Sequence, residues 1–330
     1  MNNEGASMGE ALQTGADAAI DAAKDTLASI SSRVLRDAVH QSLIDTDWGA
    51  QWKKEQGEYH ADDNAAYWDN RAPKFGTKRG ISPYVLAFIE HLALEPEDSV
   101  FDMGCGNGAL AIPLAKAGHK VIARDFSRGM LAALAEEIDA QGIANIDYAQ
   151  MSWEDDWEAC GIGTHIVDVA FASRSIITSD LKASLEKLSK VARKRACVTV
   201  STNATPHTSS DILKSLGATY VKERDSMYTF AILIQMGYHP EVSYILSQRC
   251  DAYEDKGDAR AAIERMIMSA EPYISAKDAC RCRENLPAWL EENLVPNENA
   301  GQLNSHNEIE GPWRLAVPRE VRWAFISWEV

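Results

Sequence analysis

A doubly wound α/β fold with a mostly parallel sheet is the architecture this sequence predicts, and three observations predict it. From residue 81 to residue 201, short apolar runs alternate with helical segments of about ten residues, the pattern of strands joined by right-handed crossovers and covered on both faces. The decapeptide FDMGCGNGAL (101–110) then sets three glycines within five positions directly after one such run. A strand-to-helix turn has that composition where a ligand approaches the backbone. The chain closes on WRLAVPREVRWAFISW (313–328), two aromatic alternating segments around Pro318 that suit the last strand or hairpin of the sheet.

Residues 6–47 are rich in alanine and carry Ile20, Ala23, Leu27, Ile30 and Val34 at three-four spacing, one apolar stripe on a helix. The stripe needs a partner, either the chain's own body or a second copy in a homodimer. Residues 48–80 read as a connector with aromatic anchors, and residues 1–80 together as a helical extension or lid. The core spans 81–250. It begins with a helix at Pro83–Leu92 and continues with strand 99–103, helix 108–117, strand 120–124, helix 127–140 and strand 145–149. Strand 166–172, helix 180–192 and strand 196–201 follow, then short helices near 209–216 and 225–236 and a strand at 241–247. Two polar helices within 256–293 make residues 251–311 a helical insertion placed to cap a substrate, and residues 312–330 return to the core sheet.

Composition limits the function. The 330 residues, 45% apolar with nine tryptophans, suffice for a full core and a smaller unit. A formal charge of -16, from 33 basic and 49 acidic residues, repels a phosphate backbone. The densest basic cluster, Arg193, Lys194 and Arg195, is expected at a helix end, where cations complement the dipole. Nucleic acid is thus discounted, and the same acidity disfavours polyanionic acceptors. No apolar run reaches membrane-spanning length, and the acidic N-terminus lacks signal-peptide character, so a cytoplasmic location without membrane attachment is expected. The six cysteines are too sparse for a disulfide scaffold.

The glycine turn admits two cofactor classes. GNGALA (106–111) fits the GxGxxA dinucleotide form, in which a helix N-terminus meets a pyrophosphate. Asp102, however, stands two residues before the first glycine, where a carboxylate would repel pyrophosphate and suit a cationic group such as an amino-acid ammonium. The second strand ends in VIARD, so Asp125 could accept both hydroxyls of a ribose, or help Ser127 cap the next helix.

These motifs resemble the class I S-adenosylmethionine-dependent methyltransferases, over residues 68–201. VFDMGCGNGALAIPLA resembles their first motif and VIARDFS their second; NIDYAQMSWEDDW and DVAFASRS resemble the segments after strand three and of strand four. The resemblance implies a Rossmann-like, seven-stranded sheet and S-adenosylmethionine as cofactor, with S-adenosylhomocysteine as product. It places Asp102, Gly104, Gly106 and Gly108, with Cys105 and Asn107 in the same turn, at the methionine end. Asp125 would hold the ribose and Phe126 the adenine, with Trp153 and Glu154 on the base's other face and Ser152 and Ser173 completing the set. Met151 and Ser152 stand where many relatives have an acid for the adenine amine, so Glu154 or a backbone carbonyl would have to serve. YWDNRAPKF resembles the segment that closes over the methionine moiety in small-molecule relatives, which nominates Tyr67, Trp68 and Arg71, the last for the carboxylate.

Methyl transfer from a sulfonium needs alignment and dryness more than a dedicated catalytic group. Ligands lie beyond the carboxyl ends of parallel strands, which leaves His207, a possible general base, and Arg174, for an acidic substrate or to brace Asp102, as the catalytic candidates. His119, His165 and His239 precede strands and fall at the wrong end. No NPPY tetrapeptide or Pro-Cys pair follows strand four, and Cys280 and Cys282 would point about 160 to 200 degrees apart on a helix, so no metal site is expected. The reading is a small-molecule methyltransferase; the alternatives are a methyltransferase-like regulatory subunit without turnover and a nicotinamide oxidoreductase.

Overall fold

A computed structural model of the protein describes residues 45–57, 65–75, 81–203, 208–249, 251–304 and 309–330. The proposed apolar stripe at 20–34 and His207 lie outside the described residues. The connector expected at 48–80 contains two helices, Trp48–Gly57 and Ala65–Phe75.

The main sheet is built from β1 (Val100–Met103), β2 (Val121–Asp125), β3 (Ile146–Gln150), β4 (Val167–Ser173), β5 (Ala192–Ser201), β6 (Glu241–Arg249) and β10 (Arg319–Glu329). Its order is β3-β2-β1-β4-β5-β10-β6, seven strands in all. The first five are parallel; β10 runs antiparallel between β5 and β6. This is the mostly parallel doubly wound sheet that the alternation predicts. The strand order reverses between β1 and β4, and ligands of open α/β sheets bind beyond the carboxyl ends of the strands at such a switch.

All four residues of β1 are buried, which is why VFDM carries a carboxylate into the interior. Phe88, on helix Pro83–Leu92, sets its ring 5.3 Å from that of Phe171 on β4 and 5.4 Å from that of Phe325 on β10. Helix ends follow their local chemistry. Ser82 caps the helix that opens with Pro83, and Asp180 caps Leu181–Val191. Helix Arg128–Gln141 stops at Gly142, whose φ of 63° suits a residue without a side chain.

The N-terminus of that helix locates a second segment. Ser127 Oγ accepts from Met130 N at 3.1 Å and donates to Asp69 Oδ1 at 2.6 Å, and Gly129 N donates to the same Asp69 oxygen at 2.8 Å. Helix Ala65–Phe75 is thereby seated on the residues that leave β2. A Cβ at Gly129 would stand 3.0 Å from Asp69 Cα, so the approach depends on glycine. Ser127→Ala is expected to cost about 1 to 2 kcal/mol through loss of the cap and its link to Asp69. Urea unfolding checks it, and an unchanged midpoint would count against the link.

Two expectations are corrected. Arg193, Lys194 and Arg195 do not end a helix: β5 begins at Ala192, directly after Val191. Arg193 pairs with Asp168 at 3.0 Å, Lys194 reaches Glu95 and Asp98 at 2.8 and 2.7 Å, and Arg195 donates to the Leu92 carbonyl. The trio fastens the amino edge of the sheet. Trp313–Leu315, expected beside the closing strand, is β9 of a separate three-stranded sheet with β7 (Ala252–Tyr253) and β8 (Leu294–Pro296), in the order β7-β9-β8.

That small sheet and helices Lys256–Ala270 and Ala276–Asn293 share a second core with Ile212, Leu213, Leu216 and Val221, which follow β5. Arg281 Nη1 and Asn285 Nδ2 donate to the carbonyls of Gly217 and Leu216, and Thr219 Oγ1 donates to Asp278 at 2.8 Å. Cys282 is buried in this core and Cys280 is exposed, so one helix turns their thiols to opposite sides.

Candidate cofactor and acceptor site

Turns carrying the predicted residues meet at the carboxyl ends of β1, β2 and β4. Gly104, Gly106 and Gly108 have φ of 79°, 55° and 83°, conformations that side chains oppose. Their surroundings differ. A Cβ on Gly104 would lie 2.3 Å from Ser175 Cβ, and one on Gly108 2.4 Å from Leu134 Cδ1. Those two glycines permit close packing of the protein on itself. A Cβ on Gly106 would meet nothing within 4 Å, so there the turn borders open space.

Backbone donors of the turn are engaged internally. Gly104 N and Cys105 N both donate to the Arg124 carbonyl, at 2.7 and 3.0 Å, and Gly108 N donates to that of Cys105 at 3.0 Å. Gly106 N donates to Asp125 Oδ2 at 2.8 Å. A pyrophosphate needs such donors turned outward. The N–H groups of residues 104 to 106 are taken up within the protein, which disfavours a pyrophosphate held on them. Asn107 is half-buried within the turn.

Asp102 is 1% exposed, and neither of its carboxylate oxygens has a hydrogen-bond partner among the described residues. Burial, with the charge of Asp125 second, pushes its carboxyl well above the usual carboxylate range. A buried acceptor without a donor is destabilising by about 1 to 3 kcal/mol, more when charged. Arg174 does not brace it: that guanidinium lies over the Tyr84 ring at 4.2 Å and forms no ion pair among the described residues. Burial likewise raises the Cys105 thiol, followed by the charges of Asp102 and Asp125.

Asp125 ends β2 and is 5% exposed. Its Oδ1 accepts from Ser127 N at 2.8 Å, opposite the Gly106 contact, so the carboxylate joins the glycine turn to the start of the next helix. Burial raises its carboxyl, the hydrogen bonds of Ser127 and Gly106 oppose the rise, and Asp69 adds to it. Of about four lone-pair positions on a carboxylate, these backbone donors occupy two. Phe126 is half-buried, and its carbonyl accepts from Gln150 Nε2 at 3.0 Å.

Beyond β3, Met151 N donates to the Asp125 carbonyl at 3.0 Å and the Met151 side chain is buried. Ser152 N is turned into its own loop by Asp155 Oδ2 at 2.8 Å, and Glu154 is exposed. Trp153 donates from its indole to the Ser175 carbonyl at 2.7 Å, and its ring lies 5.3 Å from that of Trp157. Ser175 in turn donates from Oγ to the Met103 carbonyl at 2.6 Å. Loops after β3 and β4 are thus tied to the residue preceding Gly104. On helix Ala65–Phe75, Tyr67 and Trp68 meet edge to face at 5.4 Å, and Arg71 donates to the Tyr67 hydroxyl at 3.0 Å. Asp69, between them in YWDN, seats this helix beside Asp125 and Phe126.

Sequence reasoning gives no site role to Tyr84, Ser175, Trp52, Asp225 or Asp69. Tyr84 is buried, with its hydroxyl 2.8 Å from Ser173 Oγ and 2.7 Å from Thr199 Oγ1, and burial raises its phenol. Ser175 supplies the contact that excludes a side chain at Gly104. Trp52, 0% exposed, donates to the Thr178 carbonyl at 2.8 Å, with the Arg224 guanidinium 4.3 Å from its ring centroid. Asp225, whose carboxyl burial raises to about 6, pairs with Arg224 at 3.3 Å. Only Asp69 had a local signal, its place inside an already quoted aromatic and basic segment.

Residues 100–195, which run from β1 into β5, match a family model described as a methyltransferase domain. An uncharacterized protein of Haemophilus influenzae is 27% identical over 80% of this chain and 88% of its own length. The demethylmenaquinone methyltransferase of Mycolicibacterium vanbaalenii is 29% identical over 53% of this chain and 70% of its own. Among solved structures, phosphoethanolamine N-methyltransferase 2 of Haemonchus contortus in complex with S-adenosyl-L-methionine superposes with a TM-score of 0.45 at 16% identity, covering 81% of this chain and 57% of that one. Residues 100–195 thus match a methyltransferase domain.

Proposed function

We propose that the protein transfers a methyl group from S-adenosylmethionine to a small-molecule acceptor by in-line displacement. The observation that carries the assignment of the site is Asp102, a buried carboxylate with no donor among the described residues, on the strand that leads into the turn of Gly106, whose Cβ position is open. The methionine ammonium supplies the cation that such a group needs. Asp125 is assigned to the ribose hydroxyls, Phe126 and Trp153 to the adenine faces, and Tyr67, Trp68 and Arg71 to the closing side, Arg71 opposite the carboxylate. The bound sulfonium brings an activated methyl group whose bond to sulfur breaks as its bond to the acceptor forms. The residues of the chain hold the reactants in line and keep water out. Relatives named demethylmenaquinone methyltransferase and ubiquinone biosynthesis O-methyltransferase support a small acceptor. Among the described residues no helix is long and apolar enough to cross a membrane.

Asp125→Ala is expected to weaken S-adenosylmethionine binding by about 1.5 to 3 kcal/mol through lost charge-assisted hydrogen bonds. Calorimetric titration of the folded variant checks this, and an unchanged dissociation constant refutes the ribose assignment. Turnover itself is tested by incubating a metabolite extract with labelled methyl donor. A protein that binds the cofactor and yields no labelled product would be a binding subunit instead.

A further inference from the structure

Arg174 ends the exit from β4 in a conformation that its side chain disfavours. Its φ is 61°, in the left-handed region that costs a residue with a Cβ about 1 to 2 kcal/mol. The backbone is fixed there by Arg174 N, which donates to the Thr199 carbonyl at 3.2 Å and to Thr199 Oγ1 at 3.1 Å. Non-glycine strain of this kind collects where function positions a side chain.

The side chain is held as firmly as the backbone. Its guanidinium carbon lies 4.2 Å from the Tyr84 ring centroid and 5.6 Å from that of Trp323. Tyr84 is itself fixed through its hydroxyl by Ser173 and Thr199. These cation–π contacts hold the guanidinium without using its N–H edge as a hydrogen-bond donor. That edge has no acceptor among the described residues. Arg124, Arg193, Arg281 and Arg319, by contrast, pair with aspartates. Arg174 is exposed, and its neighbours Ser173 and Ser175 touch Tyr84 and the glycine turn. It therefore stands at the carboxyl edge of the sheet, beside the proposed cofactor site.

We propose that Arg174 binds an oxyanion, a carboxylate or a phosphate, carried by the methyl acceptor. This rests on the methyl-transfer reading and narrows its acceptor class. A planar fork of N–H donors fits two oxygens of such a group, and the rings behind it preset its direction. The acidic surface opposes acceptors of high negative charge; a single oxyanion meets one preset cation.

The test is a tryptophan-fluorescence titration at constant ionic strength, because Trp323 lies within reach of the site. S-adenosylhomocysteine is titrated first, then benzoate, phenyl phosphate and neutral benzamide, each with and without that nucleoside. Wild type is expected to respond saturably to at least one anion and not to benzamide. The preferred anion identifies the oxyanion class. Arg174→Gln and Arg174→Gly, the second accepted by the left-handed backbone, should raise the anion dissociation constant at least tenfold and leave that of S-adenosylhomocysteine within twofold. Arg174→Lys should restore part of the response. Absence of a saturable anion response in wild type, equal binding of benzamide, or unchanged anion binding in the Gln and Gly variants overturns the proposal. Failure of wild type to bind S-adenosylhomocysteine counts instead against the methyl-transfer reading, and the titrations without it still decide the anion site.

Discussion

Gly106→Val is expected to abolish S-adenosylmethionine binding in a protein that remains folded. A Cβ at this position meets nothing within 4 Å, so the free protein gains strain and no collision. The strain follows from a φ of 55°, which a β-branched residue resists by about 1 to 2 kcal/mol or somewhat more. The isopropyl group would occupy the space into which the turn opens, and binding should weaken by more than about a hundredfold, near 3 kcal/mol. Gly142→Val is the matched control. It has a φ of 63° and an equally open Cβ position, but it ends helix Arg128–Gln141 away from the glycine turn. Calorimetry should show binding retained in the control and lost at 106. Equal loss in both variants, or micromolar binding by Gly106→Val, would sink the assignment of this space to the cofactor.

Asp102→Asn should separate stability from affinity. Both oxygens of Asp102 are buried with no donor among the described residues, and burial pushes its carboxyl well above the usual range. A pKa raised on folding gives a contribution that is fully present below the unfolded value, near 4. That contribution is lost as pH rises toward the folded value. The ligand-free wild type should thus lose stability on going from acid to neutral pH through this group, and the amide should not. At neutral pH Asp102→Asn is expected to stabilise the free protein by about 1 to 3 kcal/mol and to weaken cofactor binding by about tenfold to a hundredfold. Melting curves with and without S-adenosylmethionine at several pH values check both. A variant less stable than wild type with unaltered affinity would remove Asp102 from the binding role.

The parallel core was legible because its strands are buried on both faces and so appear as uninterrupted apolar runs, VFDM and VAFA among them. The glycine turn was legible because a positive φ leaves few residue choices. Residues 192–195 were harder: ARKR is polar, and only distant partners, Asp168, Asp98 and Glu95, make it a strand. Trp313–Leu315 alternates as a strand should, yet alternation does not say which sheet a strand joins. In the site, Asp102 and Asp125 announce themselves by position at the carboxyl end of a strand. Tyr84, Trp52 and Ser175 do not, since their roles come from contacts with Thr199, Thr178 and Met103, far away in sequence. The difference between Gly106 and its neighbours Gly104 and Gly108 depends on Ser175 and Leu134, and no spacing rule contains it.

The antiparallel pairing of β6 with β10 has an engineering consequence. Arg249 and Arg319 are register partners, so the chain departs from the main sheet and rejoins it at the same rung. Residues 250–318 are a detour spliced between adjoining strand ends, and a tight reverse turn would close the same gap. An exchange of that detour would have to include residues 212–221, whose apolar side chains share its core. The exchangeable unit is thus the detour together with residues 212–221, and the register of the parallel strands from β3 to β5 is set without it.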